Sequence, residues 1–141
     1  MQHMRVSELM SPIVISVSPG TTVRDAAGKM QQYGVGALAV LDGRKPVGIV
    51  TDRDIVTRVL SGTGAVAERP ASAAMSPRLA FCFADQDVAA AAALMGDLQI
   101  RRLLVRDRSG DLVGVLSVGD IAENASEELA GQVLGEVSER R

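Results

Sequence analysis

Two short stretches carry the residues best suited to chemistry. Thr51 stands three positions before Asp54, and Ser117 three positions before Asp120. A glycine precedes each hydroxyl by three positions, Gly48 and Gly114. Both stretches run from apolar, strand-like sequence into helix-forming sequence, so hydroxyl and carboxylate flank the start of a helix. Two chemistries fit this arrangement. The first is internal: Ser/Thr-x-x-acid is close to a capping box, in which the hydroxyl satisfies free backbone N–H groups and the acid favours the positive helix end. The second is external: free N–H groups and a hydroxyl attract an anion, while a nearby carboxylate accepts hydrogen bonds from ribose hydroxyls. A glycine would let a ligand come close to the backbone. Both readings stay open, since either builds the same helix start.

Little else competes for a role. His3 and Cys82 are the sole histidine and cysteine, too few for a structural zinc site or an internal disulfide. No nucleophile–base pair can be read, so an enzyme is the weakest class of function. Cys82 falls in an apolar stretch and reads as a small core residue. Fifteen basic residues against 17 acidic ones give a net charge of −2, with no basic excess to draw the chain onto phosphate backbones. Aromatic residues make up 2%, leaving almost no base-stacking platform, and nucleic acid is not an expected partner. The apolar run over residues 89–95 is too short to cross a bilayer, and the first residues show no signal-peptide core. No membrane role and a cytoplasmic location are therefore expected.

The elements that position these residues occur twice. Met10-Ser11-Pro12 returns 65 positions later as Met75-Ser76-Pro77. At the same offset Val23 matches Val88, Ala27 matches Ala92, Met30 matches Met95 and Val35 matches Ile100. One inserted residue later, Gly48-Ile49-Val50-Thr51 matches Gly114-Val115-Leu116-Ser117, and Asp54-Ile55 matches Asp120-Ile121. Register held over a whole repeat marks a duplication. Each copy reads as an extended stretch (13–17; 79–83), a helix (22–32; 87–98), two strands (37–41 and 47–51; 102–106 and 112–116) and a second helix. Val23, Ala26, Ala27 and Met30 are expected on one buried helix face. Domain boundaries follow: repeat 1 over 6–60, a linker over 61–73 rich in Gly, Ala and Ser, repeat 2 over 74–122, and a tail over 123–141. Leu129, Val133, Leu134 and Val137 make that tail a moderately amphipathic helix. The predicted class is α/β (α+β), two β-α-β-β-α repeats packed sheet to sheet with pseudo-two-fold symmetry.

The duplicated pattern Leu9-Met10-Ser11-Pro12, residues 14–17 and Gly48-Ile49-Val50-Thr51-Asp52-Arg53-Asp54-Ile55 resembles a CBS domain, named after cystathionine β-synthase. The second copy carries Ile100-Arg101-Arg102-Leu103 and Gly114-Val115-Leu116-Ser117-Val118-Gly119-Asp120-Ile121. Across residues 6–122 the chain is similar to a CBS-domain pair. The resemblance implies a regulatory ligand of the AMP, ADP or ATP class, less often S-adenosylmethionine or NAD, held in clefts between the repeats, with no cofactor required. By the same resemblance, Asp54 and Asp120 would hold ribose hydroxyls, and Thr51 and Ser117 would face the phosphate. Val14, Ile15, Val17, Ala37, Leu38, Leu79, Ala80, Cys82 and Leu103 would flank adenine.

This chain departs from the family pattern at several places. Ala39 and Leu104 stand where the family often has proline. Gly119 replaces the basic residue matching Arg53, and Gly36-Ala37 in repeat 1 matches Arg101-Arg102 in repeat 2. Arg53, Arg101 and Arg102 are thus the phosphate candidates, because a planar guanidinium can bind two oxygens at once; each is equally readable as a solvated surface charge. The leading expectation is a ligand-sensing module that passes a change of shape or of homodimer geometry to an effector protein. The alternative is an interaction homodimer with unoccupied or weakly used clefts.

Overall fold

The computed structural model describes residues 4–77 and 79–124. His3 and the tail residues Leu129, Val133, Leu134 and Val137 lie outside the described residues. The chain divides into two compact units, Ile15–Leu79 and a second made of the segment ending at Val14 together with the chain from Ala80 onward. Neither unit coincides with a sequence repeat.

In the first unit β1 (Ser16–Val17) runs parallel to β2 (Ala37–Asp42), which pairs antiparallel with β3 (Lys45–Thr51). The helix α2 (Val23–Tyr33) lies between β1 and β2 in sequence; α1 (Val6–Leu9) precedes them and belongs to the second unit. Thr22 starts α2 by accepting a hydrogen bond from the Asp25 N–H, and Gly34 ends it at φ 64°. Val23, Ala26 and Met30 form the buried stripe of α2, but Ala27 is exposed. Around the helix axis Ala27 lies about 60° from Met30, against about 40° for Ala26 and about 20° for Val23, which puts it at the edge of the stripe. Beyond Thr51 the chain enters α3 (Asp52–Asp54) and then a wider π-helical stretch, Ile55–Leu60. The core consists of Val17, Val23, Ala26, Met30, Leu38, Val40, Val50, Ile55, Val59, Ala71 and Ala74. The segment read as a linker therefore contributes Ala71, and short 3₁₀ turns at Val66–Glu68 and Ala71–Ala73 shape it.

The second unit repeats the plan. β4 (Phe81–Phe83) is parallel to β5 (Arg102–Arg106), which is antiparallel to β6 (Leu112–Ser117). The helix α4 (Val88–Leu98) joins β4 to β5, and α5 (Val118–Asn124) follows β6. Here α1 takes the place that the 3₁₀ turn at Ala71–Ala73 holds in the first unit. Val6 N–H donates to the Gln86 carbonyl and Val88 N–H to the Met4 carbonyl; in the first unit Val23 N–H donates to the Arg69 carbonyl and Ala71 N–H to the Thr21 carbonyl. Val6, Leu9, Cys82, Val88, Met95, Leu103, Leu116 and Ile121 are among the buried core side chains.

The structure explains the repeated Met-Ser-Pro motif. Ser11 exchanges two backbone hydrogen bonds with Val115 on β6, and Ser76 exchanges two with Ile49 on β3. Each motif thus stands at the head of one sequence repeat but lies along the last strand of the other. Close passage is possible because the strand carries glycine at the crossing. A methyl group on Gly114 would sit 2.5 Å from the Met10 sulfur and 2.7 Å from the Ser11 carbonyl oxygen; on Gly48 it would sit 2.7 Å from the Met75 sulfur and 2.9 Å from the Ser76 carbonyl oxygen. The methionine can swing aside, but the carbonyl is held in the bridge.

Gly114→Ala is therefore expected to destabilise the protein by about 1–3 kcal/mol, the usual range for overpacking. Gly28→Ala, where nothing lies within 4 Å on an exposed turn of α2, should instead stabilise by about 0.5–1 kcal/mol. Urea midpoints of the two variants against the parent protein test both signs together.

Candidate functional site

The strand-to-helix junctions form the two expected capping boxes. At the end of β3 the Thr51 hydroxyl accepts a hydrogen bond from the Asp54 N–H at 3.1 Å, and the Asp54 carboxylate accepts one from the Thr51 N–H at 3.1 Å. At the end of β6 the Ser117 hydroxyl accepts from the Asp120 N–H at 3.1 Å, and the Asp120 carboxylate from the Ser117 N–H at 2.9 Å. The internal reading of these residues is thus realised in both repeats. Each box uses one carboxylate oxygen, Oδ2, and leaves the other to its surroundings.

Those surroundings differ. In the first unit Arg58, one turn beyond Asp54, places its Nε 3.8 Å from Asp54 Oδ1 and donates through Nη1 to the Met75 carbonyl at 3.2 Å. Asp52 N–H donates to the Gly36 carbonyl, and the Asp52 carboxylate fills the space beside Gly36. Ala37 is the β2 partner of Thr51, and Arg53 is exposed. In the second unit Asn124 occupies the position matching Arg58, and its amide donates to the Asp120 backbone carbonyl. Asp120 Oδ1 has no hydrogen-bond or ion-pair partner among the described residues. Arg102 is the β5 partner of Ser117. Leu103 and Leu116 point into the core, so Arg102 and Ser117 share the opposite face of the sheet. Val118 N–H donates to the Arg101 carbonyl, while the Arg101 side chain is exposed.

Several expected site residues lie elsewhere. Val17, Leu38, Cys82 and Leu103 are core residues, 7, 1, 3 and 0% exposed, and are not open to a ligand. Alternation along a strand puts them on the helix-covered face. Ile15 and Ala80 pack at the edges of the same cores. Ala37, Val14 and Leu79 remain half-buried; Val14 falls in the second unit and Leu79 in the first. The close approach at Gly48 and Gly114 is made by the chain's own Met75-Ser76 and Met10-Ser11. Among the described residues no cluster of three or more His, Cys, Asp or Glu side chains could hold a metal ion, and no helix is long and apolar enough to cross a membrane.

The second unit also has contacts that its mixed-charge turn did not suggest. The Arg106 guanidinium lies 3.6 Å from the Phe81 ring centre and that of Arg108 4.0 Å from Phe83. Arg108 also binds both oxygens of Asp85, at 2.8 and 2.9 Å, and these hydrogen bonds hold the Asp85 carboxyl below its ordinary range. Asp107 closes the turn by accepting from the N–H groups of Ser109 and Asp111.

Comparison with known proteins places this geometry. The CBS domain family model matches residues 6–61 and 71–127, and the chain belongs to the CBS-domain family. It is 37% identical over 134 residues to the CBS domain-containing protein YhcV of Bacillus subtilis (strain 168), covering 94% of each chain. A conserved CBS domain protein of unknown function from Thermoplasma acidophilum superposes with a TM-score of 0.82 at 26% identity, covering 96% of this chain and 76% of that one. A CBS domain protein from Pyrobaculum aerophilum, whose structure was solved complexed with AMP, superposes at 0.73 with 27% identity, covering 94% of this chain and 99% of that one. CBS pairs are regulatory modules, and the mixed helix-and-sheet architecture of this chain matches theirs.

Burial pushes the Cys82 thiol from its ordinary 9.0 up to about 11. The folded protein should therefore resist thiol reagents at pH 8 and react only on unfolding. Between pH 9 and 11 the unfolded chain gives up this proton while the folded chain keeps it, so stability falls across that window. Urea midpoints at pH 8 and pH 10 should show a larger drop for the parent protein than for Cys82→Ala; equal drops would remove the thiol from the account.

Proposed function

We propose that this protein is a regulatory module that binds an adenosine-containing nucleotide of the AMP, ADP or ATP class at its Thr/Ser-x-x-Asp junctions and passes the bound state to a partner protein. The carrying observation is the half-buried carboxylate at each junction, fixed by its box through one oxygen with the second turned elsewhere. A carboxylate held this way is preorganised to accept from neighbouring ribose hydroxyls, because little side-chain freedom remains to be lost on binding. Thr51 and Ser117 stand on the phosphate side, with Arg53, Arg101 and Arg102 as the available cations. Ala37 and Leu79 of the first unit are half-buried apolar residues available to a base. The AMP complex of the Pyrobaculum aerophilum protein supports the choice of ligand class. No step of bond making or breaking is assigned to these residues.

A switch of this kind needs a ligand that binds two conformations unequally. Homodimer geometry is the form of output we propose, with an effector protein reading it in a cytoplasmic setting.

Thermal unfolding in the presence of AMP, ADP, ATP, NAD, S-adenosylmethionine and GTP tests the reading. At a hundred times its dissociation constant a ligand should stabilise the fold by about 2.7 kcal/mol, a clear rise in midpoint. Stabilisation by adenine nucleotides but not by GTP is the expected outcome. A folded protein indifferent to all six would leave the junctions as helix caps and favour an interaction dimer.

A further inference from the structure

We propose that the two junctions are not equivalent: the one at Ser117 and Asp120 takes the nucleotide, Arg102 reads its phosphate, and Arg58 keeps the Thr51–Asp54 junction closed to it. This rests on the nucleotide reading above and specifies which copy carries it. The two carboxylates are matched in sequence and in their boxes but not in their second oxygens. Asp54 Oδ1 faces the Arg58 guanidinium, and the same guanidinium is anchored on the Met75 carbonyl. The half-exposed Arg58 guanidinium thus meets the Asp54 carboxylate and the Met75 carbonyl at once. A ribose reaching Asp54 would have to displace it. At the matching position the second unit has Asn124, a neutral side chain turned onto the backbone carbonyl of Asp120. Asp120 Oδ1 is left without a partner among the described residues.

The strand-borne cations are distributed the same way, although Arg53 beside Asp54 has no counterpart at Gly119. Directly paired positions on antiparallel strands bring their side chains to roughly 5 Å at Cβ. Arg102 therefore stems from the sheet position beside Ser117, on the same face as that hydroxyl, within an arginine's reach of the junction. Ala37 beside Thr51 gives the other junction no charge on that strand. One junction thus offers an acceptor for a diol and a donor fork for a phosphate side by side. The other has spent its acceptor on an internal ion pair. The ligand class that matches the first set is a nucleoside phosphate rather than a nucleoside.

Calorimetric titration of the full chain with AMP and with adenosine decides the matter. A single AMP per chain is expected for the parent protein. Asp120→Asn should weaken AMP by about tenfold or more, as expected for a lost hydrogen bond to a charged group. Arg102→Gln should weaken AMP by about tenfold and spare adenosine, because only the phosphate contact is removed. Arg58→Gln should admit a second AMP, a gain that loss of folding cannot mimic. Two equal sites in the parent protein, or loss of binding in Asp54→Asn alone, would overturn the asymmetry while leaving the nucleotide reading intact. No binding of AMP, ADP or ATP by a folded parent protein would overturn that reading and the asymmetry with it.

Discussion

The crossing of a Met-Ser backbone over a strand glycine is the contact on which the other features depend. Hydrogen bonding of Ser11 to Val115 and of Ser76 to Ile49 brings a carbonyl where any Cβ would be. The strand so pinned is the one that ends, a few residues on, in the hydroxyl of a capping box. Its position sets where the following helix begins and where the carboxylate of Asp54 or Asp120 is held. A contact that looks like local packing thus also fixes the site.

Duplication left the backbone plan of the two units alike and let the side chains around the junctions diverge. Both boxes, both crossing segments and both left-handed helix ends persist. The last of these survives at Gln99, with φ 57°, where the first unit has Gly34. A side chain in this conformation is strained relative to glycine, and the Gln99 amide turns back to donate to the Gly96 carbonyl. The charged residues follow no such symmetry. Cations are cheap to move because each extends from the surface of a strand or helix whose position other contacts have already set.

The duplication, the helices and strands and both boxes were legible in the chain, since each leaves a local pattern: a recurring motif, a helical stripe, a hydroxyl three residues before an acid. Facing was not. Leu38, Ala39 and Val40 are all buried, as are Leu103, Leu104 and Val105. A strand covered on both sides carries no alternation to reveal which residues point to the helices. Cys82, which reads as a core residue from its apolar stretch, and Leu103 are both buried, although the family resemblance alone would set them beside adenine. Arg58 stands four residues after Asp54, a local spacing, but its anchor on the Met75 carbonyl seventeen residues on leaves no local pattern. The Arg106–Phe81 and Arg108–Asp85 contacts likewise join residues more than twenty apart.

The exchange of leading segments has a consequence for how the chain acquires its structure. Ile15–Leu79 is contiguous, so everything its core requires has been synthesised once Leu79 has emerged. The other unit needs residues 4–14 from the start of the chain and residues 80–124 from far beyond them. Its first segment must wait, tethered by the intervening chain, for the strand it will lie along. Closing so long a loop costs entropy, although that cost grows only with the logarithm of its length. The unit completed first is the one holding Arg58 and Asp54; the unit with the open carboxylate of Asp120 is assembled last.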